Sequence, residues 1–335
     1  MISFALVNRG GQLVFYKTKI KAETKPLKFL VERSQTTYSI IIYMEKLHIP
    51  VLLSEVLATL EPHPGDKYLD LTAGYGGHAS EILDVTQNYK NSCLVDRDEF
   101  AVNYLNQKFS HDKPTIMHTD FYNAVLQLFE CGKTFDIILA DFGVSSPQLD
   151  MDERGFSFKN EAPLDMRMDQ SQKRTAADIV NHSSERELTS ILIKYGEESP
   201  GRAAMLSREI VHHRPLKTTT ELADLIKSKT HGHSKVHPAT KAFQAIRIAV
   251  NDELGQIEKT LPYLPKLLNK NGRLGIITFH SLEDRLVKDF FRTASSFGEE
   301  SELTIVNKKP IIAESEELVI NPRARSAKLR VAKRN

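Results

Sequence analysis

The sequence predicts an α/β protein built on a mostly parallel sheet, with a long helical stretch inserted before the sheet is complete. Three observations predict it. Four short apolar runs alternate with helical segments between residues 67 and 142. The next comparable strand, "GRLGIITFHS", begins at Gly272, 131 positions after Asp141. A parallel crossover needs only about a dozen residues, and the apolar spacing inside this interval is helical.

The elements follow in order. "PVLLSEVLATLEP" reads as a short amphipathic helix ending before Pro62, because a residue ahead of proline is steered out of the helical region. "KYLDLTAGYGGHASEIL" reads as strand, glycine loop and helix. "SCLVDRDEFAVNYL" repeats strand, acidic turn and helix; "PTIMHTDFYNAV" is a third strand and turn; "FDIILADFGVSS" is a fourth, strongly apolar strand. Strands alternating with helices imply parallel pairing through right-handed crossovers. Four helical patterns fill the insertion. In the last of them Phe243, Ile246, Val250, Leu254, Ile257 and Leu261 lie on one helical face, and Pro238 suits the first helical position. "EDRLVKDFFRTA" is helical, and "LTIVNKKP" and "SAKLRVAKR" read as two closing strands. The expected boundaries are a sheet domain over residues 44–150 and 251–335 and an inserted helical domain over 151–250.

The chain has 335 residues, 41% hydrophobic and 26% charged, the balance of a globular protein. No stretch approaches the roughly 18 uncharged apolar residues of a membrane-spanning helix. Two cysteines, Cys93 and Cys131, exclude a disulfide framework and a cysteine-rich zinc site, and favour a reducing, cytoplasmic compartment. A net charge of +2 does not mark a nucleic-acid binder. Residues 1–43 differ from the rest, with seven Lys/Arg against Glu23 and Glu32. They lack the compact apolar core and cleavage site of a secretion signal. They read as an appended segment ahead of a natural start at Met44, or as an organelle-type presequence.

Gly74, Gly76 and Gly77 follow an apolar strand and precede a helix, where glycine allows positive φ and close approach of a ligand. Asp96 ends the next strand, nineteen residues after Gly77. That spacing lets an acid accept hydrogen bonds from ribose hydroxyls and suggests an adenosine-containing cofactor. A tight turn of an ordinary α/β protein is the alternative. The chain offers no second mononucleotide half, which disfavours NAD, and no P-loop. Asp141 ends the fourth strand, where an open parallel sheet presents its crevice. It either meets a cofactor or substrate amine there or caps the following loop.

Other clusters allow two readings each. Arg154, Phe156, Phe158 and Arg167 interleave cations and aromatics as single-stranded nucleic-acid binders do, or are buried rings beside solvated arginines. Lys241, Gln244 and Arg247 form a polar stripe or a plain solvated face. His280 follows a strand and is either catalytic or a hydrogen-bonded strand-end residue. His231, His233 and His237 resemble a metal cluster only superficially, with no cysteine or acid at zinc spacing. The last fourteen residues carry six Lys/Arg and no acid. Their alternation suits an edge strand with cations open to phosphate, and with the aromatic cluster they would clamp RNA.

"HIPVLLSEVL", "GYGGH", "VDRD", "GVSSPQLD", "RGFSF", "PLDMRMD", "HPATKAFQAIRI", "FHSLEDR" and "NPRARSAKLR" occur in one order over residues 46–334. In this the chain resembles the ribosomal RNA small subunit methyltransferase H (MraW) family. The resemblance implies a class I, Rossmann-like methyltransferase sheet with an inserted helical domain. It implies transfer of a methyl group from S-adenosyl-L-methionine to the N4 amine of a cytidine in 16S ribosomal RNA. That cytidine lies in the decoding centre at the P site, and the substrate implied is the small ribosomal subunit in the cytoplasm. By motif, Gly76, Gly77 and His78 would line the cofactor, Asp96 would hold its ribose, Phe121 would pack near its adenine, and Asp141 and Gln148 would complete the pocket, with Asp141 the candidate catalytic acceptor and no metal. The same fold acting on another amine, or a non-catalytic assembly factor, is the alternative. Leu71 stands where the family usually has glycine or cysteine.

Overall fold

The computed structural model describes residues 2–7, 13–18, 50–111, 113–230, 237–296 and 301–335. The chain divides into two units, residues 1–45 and 46–335. In the first, β1 (Ile2–Val7) and β2 (Leu13–Thr18) pair antiparallel, a pairing with no counterpart among the patterns above. Met44 lies outside the described residues.

The second unit holds a sheet of β3 (Tyr68–Asp70), β4 (Cys93–Asp96), β5 (Thr115–His118), β6 (Phe135–Asp141), β7 (Leu268–Thr278), β8 (Leu303–Ile305) and β9 (Lys328–Arg334). The order is β5-β4-β3-β6-β7-β9-β8. The first five strands pair in parallel, and β9 runs antiparallel to both β7 and β8. Burial explains the apolar runs. Ile138 and Ala140 of β6 enter one core, with helices Phe121–Glu130 and Ser281–Ala294. Ile137 and Leu139 enter the other, with helices Leu53–Leu60 and Gly77–Thr86. A strand covered on both faces needs no polar alternation, and each fully buried leucine or isoleucine contributes roughly 1.5–3 kcal/mol.

Between β6 and β7 the chain forms helices Ala176–His182, Glu185–Gly196, Pro200–His212, Thr219–Ser228 and Thr240–Asn251, which share a third core. The long apolar face expected after Pro238 is interrupted. Asp252 adopts φ 48° and ends the helix, and a second helix spans Glu253–Thr260. Phe243, Ile246 and Val250 therefore pack among the inserted helices. Leu254, Ile257 and Leu261 pack against the sheet. Pro238 lies in the turn before the helix, not at its first position.

The closing strands form, but β9 is not the edge. It lies between β7 and β8, and Leu329 and Val331 are buried. Lys328 and Arg330 both bind Asp284, at 3.1 and 2.7 Å. Both cations are matched by an internal carboxylate, Arg330 being buried and Lys328 partly exposed. Arg323 pairs with Asp150 at 2.6 Å, while Arg325 is exposed.

Candidate active site

A cleft opens at the carboxyl ends of β3, β4, β5 and β6, where an open parallel sheet places its ligand crevice. Its construction starts with the glycine turn after β3. Gly74 and Gly76 adopt φ 51° and 70°, the left-handed region that glycine enters without a Cβ clash. A Cβ on Gly77 would lie 2.7 Å from Pro50 Cγ. The turn aims the Gly74 N–H at Asp96 Oδ2, 2.7 Å away, and the Asp98 N–H donates to Asp96 Oδ1 at 2.8 Å. Asp96 is thereby fixed at the end of β4. Asp141 is fixed differently: its backbone N–H donates to Thr72 Oγ1 at 2.6 Å. The Asp141 side chain has Oδ2 3.9 Å from His78 Nδ1, beyond hydrogen-bond length, and Oδ1 buried without a hydrogen bond.

Electrostatics follow from this crowding. Burial pushes the Asp70 carboxyl up to about 7, against opposing hydrogen bonds from Tyr68 and Thr72. Burial pushes Asp96 up to about 6, although the Asp98 and Gly74 N–H groups pull it down. Asp141 is held well above the ordinary carboxylate range by burial, then by Asp70 and Glu283. Asp96 and Asp141 line the cavity, and a ligand that carries positive charge would favour their ionised forms.

The opposite wall is tied on by one buried ion pair. Asp98 caps helix Glu99–Lys108 through the Phe100 N–H and accepts from Gln148 Nε2 at 2.8 Å. It also accepts from Arg154 at 2.9 Å, with both side chains almost wholly buried. Arg154 donates on to the carbonyls of Arg167 and Met168, and Met168 lines the cleft. Gly155 permits this geometry, since a Cβ there would lie 2.3 Å from the Pro163 carbonyl oxygen. Arg167 is bound by both oxygens of Asp165. Phe156 is buried, and Phe158 meets Phe243 edge-on with ring centroids 4.7 Å apart and His237 at a tilt with centroids 4.8 Å apart. Arg154, Phe156 and Phe158 are thus structural, and the nucleic-acid reading of this cluster is corrected. Their sequence spacing is the same in either role; only the partner Asp98 decides. The Lys241, Gln244 and Arg247 stripe likewise spends itself inside the protein, on the Glu197 and Tyr195 carbonyls and on Glu253.

Of the residues singled out from sequence, Asp96, Phe121, Asp141 and Gln148 line the cleft. Phe121 packs on Phe142 with ring centroids 5.4 Å apart. His78 stands behind Asp141, with Nε2 2.9 Å from the Val51 carbonyl oxygen. Gly76 and Gly77 shape the turn and the start of the following helix, while Gly74 reaches the cleft surface. Thr72, Asp98, Glu253 and Glu283 also line it and escape the sequence reading. Asp98 had one signal, an acid immediately before a helix. Glu283 had another, three residues past the helix-capping His280. His231 and His233 lie outside the described residues.

The cleft fits an adenosyl sulfonium: a fixed carboxyl in Asp96 at the end of β4, aromatic walls, and an Asp141 oxygen without a hydrogen bond. Sheet and cleft together define a class I S-adenosylmethionine-dependent methyltransferase. The chain belongs to the MraW methylase family, whose model matches residues 45–335. It is 46% identical over 293 residues to ribosomal RNA small subunit methyltransferase H of a Synechocystis species, covering 86% of this chain and 93% of that protein. Its identity to the like-named protein of a Cyanothece species is 48% over 292 residues, covering 87% and 95%.

If the Asp96 carboxylate receives the ribose, its raised pKa sets a pH dependence. Binding requires the ionised form, and Asp96 in the free protein is protonated below about 6. Affinity for S-adenosylhomocysteine is expected to be about tenfold weaker at pH 5 than at pH 7. Calorimetric titration at the two pH values checks this, and Asp96→Asn should flatten the dependence. Equal affinities in the unaltered protein would remove Asp96 from the ribose site.

Proposed function

We propose that this chain methylates the N4 amine of a cytidine in the decoding centre of 16S ribosomal RNA, at the P site, acting on the small ribosomal subunit in the cytoplasm. The buried Asp141 oxygen without a hydrogen bond carries the reading. It is an acceptor held ready at the end of β6, in a chain closely related to proteins named for small-subunit ribosomal RNA methylation. In this assignment Gly76, Gly77 and His78 shape the cofactor end, Asp96 binds the ribose, Phe121 packs by the adenine, and Gln148 braces the wall through Asp98. When bound, S-adenosylmethionine supplies an electrophilic methyl group on a sulfonium that departs as a neutral thioether.

The chain's own task is alignment and charge. The N4 lone pair of cytosine is delocalised into the ring. An acceptor on one amine hydrogen favours a pyramidal nitrogen and stabilises the positive charge that develops there. Asp141 Oδ1 takes that part, its carboxyl ionised when the positive charge of a bound sulfonium stands near it. Once the N4 nitrogen had taken the methyl group it would carry positive charge, and one amine proton would pass to bulk water. The target base must leave its stack to be reached. We assign residues 151–250 to recognition of the surrounding RNA.

Arg323 lines the cleft and Arg325 is exposed beside it. Charge reversal at both is expected to weaken subunit binding and lower its salt slope by roughly one to two, read by binding titrations at several salt concentrations. An unchanged slope excludes them from the RNA contact. The function itself is tested by mass spectrometry of small-subunit RNA after incubation with isotopically labelled cofactor. Labelled N4-methylcytidine at one decoding-centre position supports the proposal; label on another nucleoside or on protein overturns it.

A further inference from the structure

S-adenosylmethionine ends in a free amino-acid group, an ammonium beside a carboxylate. The ammonium finds acids throughout the cleft. The carboxylate finds few cations. Among the described residues that line the cleft, Arg97 and Arg323 alone carry a fixed positive charge, against Asp96, Asp98, Asp120, Asp141, Glu253 and Glu283. An anion admitted among these acids needs a cation or strong donors beside it. Arg97 is already engaged, and at the other end. It follows the ribose residue Asp96, and its Nη1 and Nη2 donate to the Asn251 carbonyl at 3.2 Å and to Gln172 Oε1 at 3.3 Å.

Arg323 is placed differently. It lies in the turn Pro322–Ser326, anchored by Ala324, which is buried in the same core as Leu52 and Val56. Just before it, helix Ser315–Ile320 offers Glu317 Oε1 to the Leu52 N–H at 2.9 Å. Leu52 follows Val51, itself a cleft residue, whose carbonyl oxygen lies 2.9 Å from His78 Nε2. His78 Nδ1 in turn lies 3.9 Å from Asp141 Oδ2. On its other side Arg323 Nη2 donates to Asp150 Oδ1 at 2.6 Å. Asp150 ends the short helix capped by Ser145, another cleft residue. These contacts fix Arg323 at the Asp141 end of the cleft, away from the ribose. Asp150 takes one guanidinium nitrogen, and Nε and Nη1 make no other hydrogen bond among the described residues.

We infer that Arg323 receives the carboxylate of the cofactor's amino-acid tail through the guanidinium nitrogens that Asp150 leaves free. A planar fork of donors matches a carboxylate, and a guanidinium has enough N–H groups for two carboxylates at once. Asp150 is then a positioning residue that holds the guanidinium from its far side. The inference rests on the assignment of the cleft to the cofactor and not on which base is methylated. Arg325 remains the exposed cation of this turn. The salt slope of subunit binding then falls by about one on charge reversal, the share of Arg325 alone.

The test titrates two ligands by calorimetry: S-adenosylhomocysteine, and its analogue with a carboxamide in place of the carboxylate. Each is measured on the unaltered protein and on Arg323→Met, which removes every donor. The Asp150 pair is about a third exposed, and such a pair adds little to stability, so the variant keeps the fold. A charge-assisted contact at a partly exposed site should be worth about tenfold in affinity. The unaltered protein should bind the carboxamide more weakly than S-adenosylhomocysteine by that factor. Arg323→Met should show the loss already on S-adenosylhomocysteine, with no further loss on the carboxamide. Losses that multiply, or an Arg323→Met protein that binds S-adenosylhomocysteine as tightly as the original, overturn the proposal and leave the cleft assignment standing. If the unaltered protein does not bind S-adenosylhomocysteine, both fall.

Discussion

Replacing Arg154 with methionine is expected to destabilise the protein by about 3–5 kcal/mol, because the change leaves the Asp98 carboxylate buried and unpaired. The expectation comes from the environment of the pair. Both side chains are nearly inaccessible, 2% and 4% exposed, at 2.9 Å. Arg154 also bridges the Arg167 and Met168 carbonyls, so the wall opposite Asp96 loses its tether. Cofactor affinity should fall along with the denaturant midpoint. The double variant Asp98→Asn/Arg154→Met separates charge from packing. It removes the stranded charge while the substituted amide oxygen can still cap the Phe100 N–H, and it should recover a large part of the loss. A single variant that unfolds at the original denaturant concentration would show that the pair contributes nothing to the fold.

Asp141→Asn is expected to reduce turnover at saturating cofactor by about 10²–10³-fold, the usual loss when one acceptor or donor aimed at developing charge is neutralised. The substitution preserves shape and leaves the backbone bond to Thr72 Oγ1 in place, so structure is not the cause of the loss. Cofactor affinity measured separately should change much less than turnover. The reverse outcome, with affinity collapsed and saturated turnover intact, would confine Asp141 to holding the cofactor.

Sheet, glycine turn and strand-end acids are legible in the sequence because each has a local cause. An apolar run buried on both faces reads as a central strand, and a glycine pair between strand and helix reads as a tight turn. Asp96 and Asp141 declare themselves by ending such strands. The break at Asp252 is not legible. The 3.6-residue spacing of Phe243 through Leu261 continues across it, and the two halves serve different cores. Arg154 misleads for a related reason. An arginine between aromatics looks alike whether it faces RNA or a buried carboxylate, and Asp98 lies 56 positions away. The basic end misleads because only pairing order reveals β9 as interior, with Asp284 waiting for its cations. Glu283 hides as an ordinary helix cap, since capping occupies one of its oxygens and the sequence does not say where the other points.

The most direct measurement is a crystal structure with S-adenosylhomocysteine bound. It should show the ribose hydroxyls on Asp96, the adenine beside Phe121, and the sulfur facing the Asp141 end of the cleft. Ligand bound anywhere else, or with its ribose turned away from Asp96, would contradict the assignment of this cleft as the methyl-transfer site.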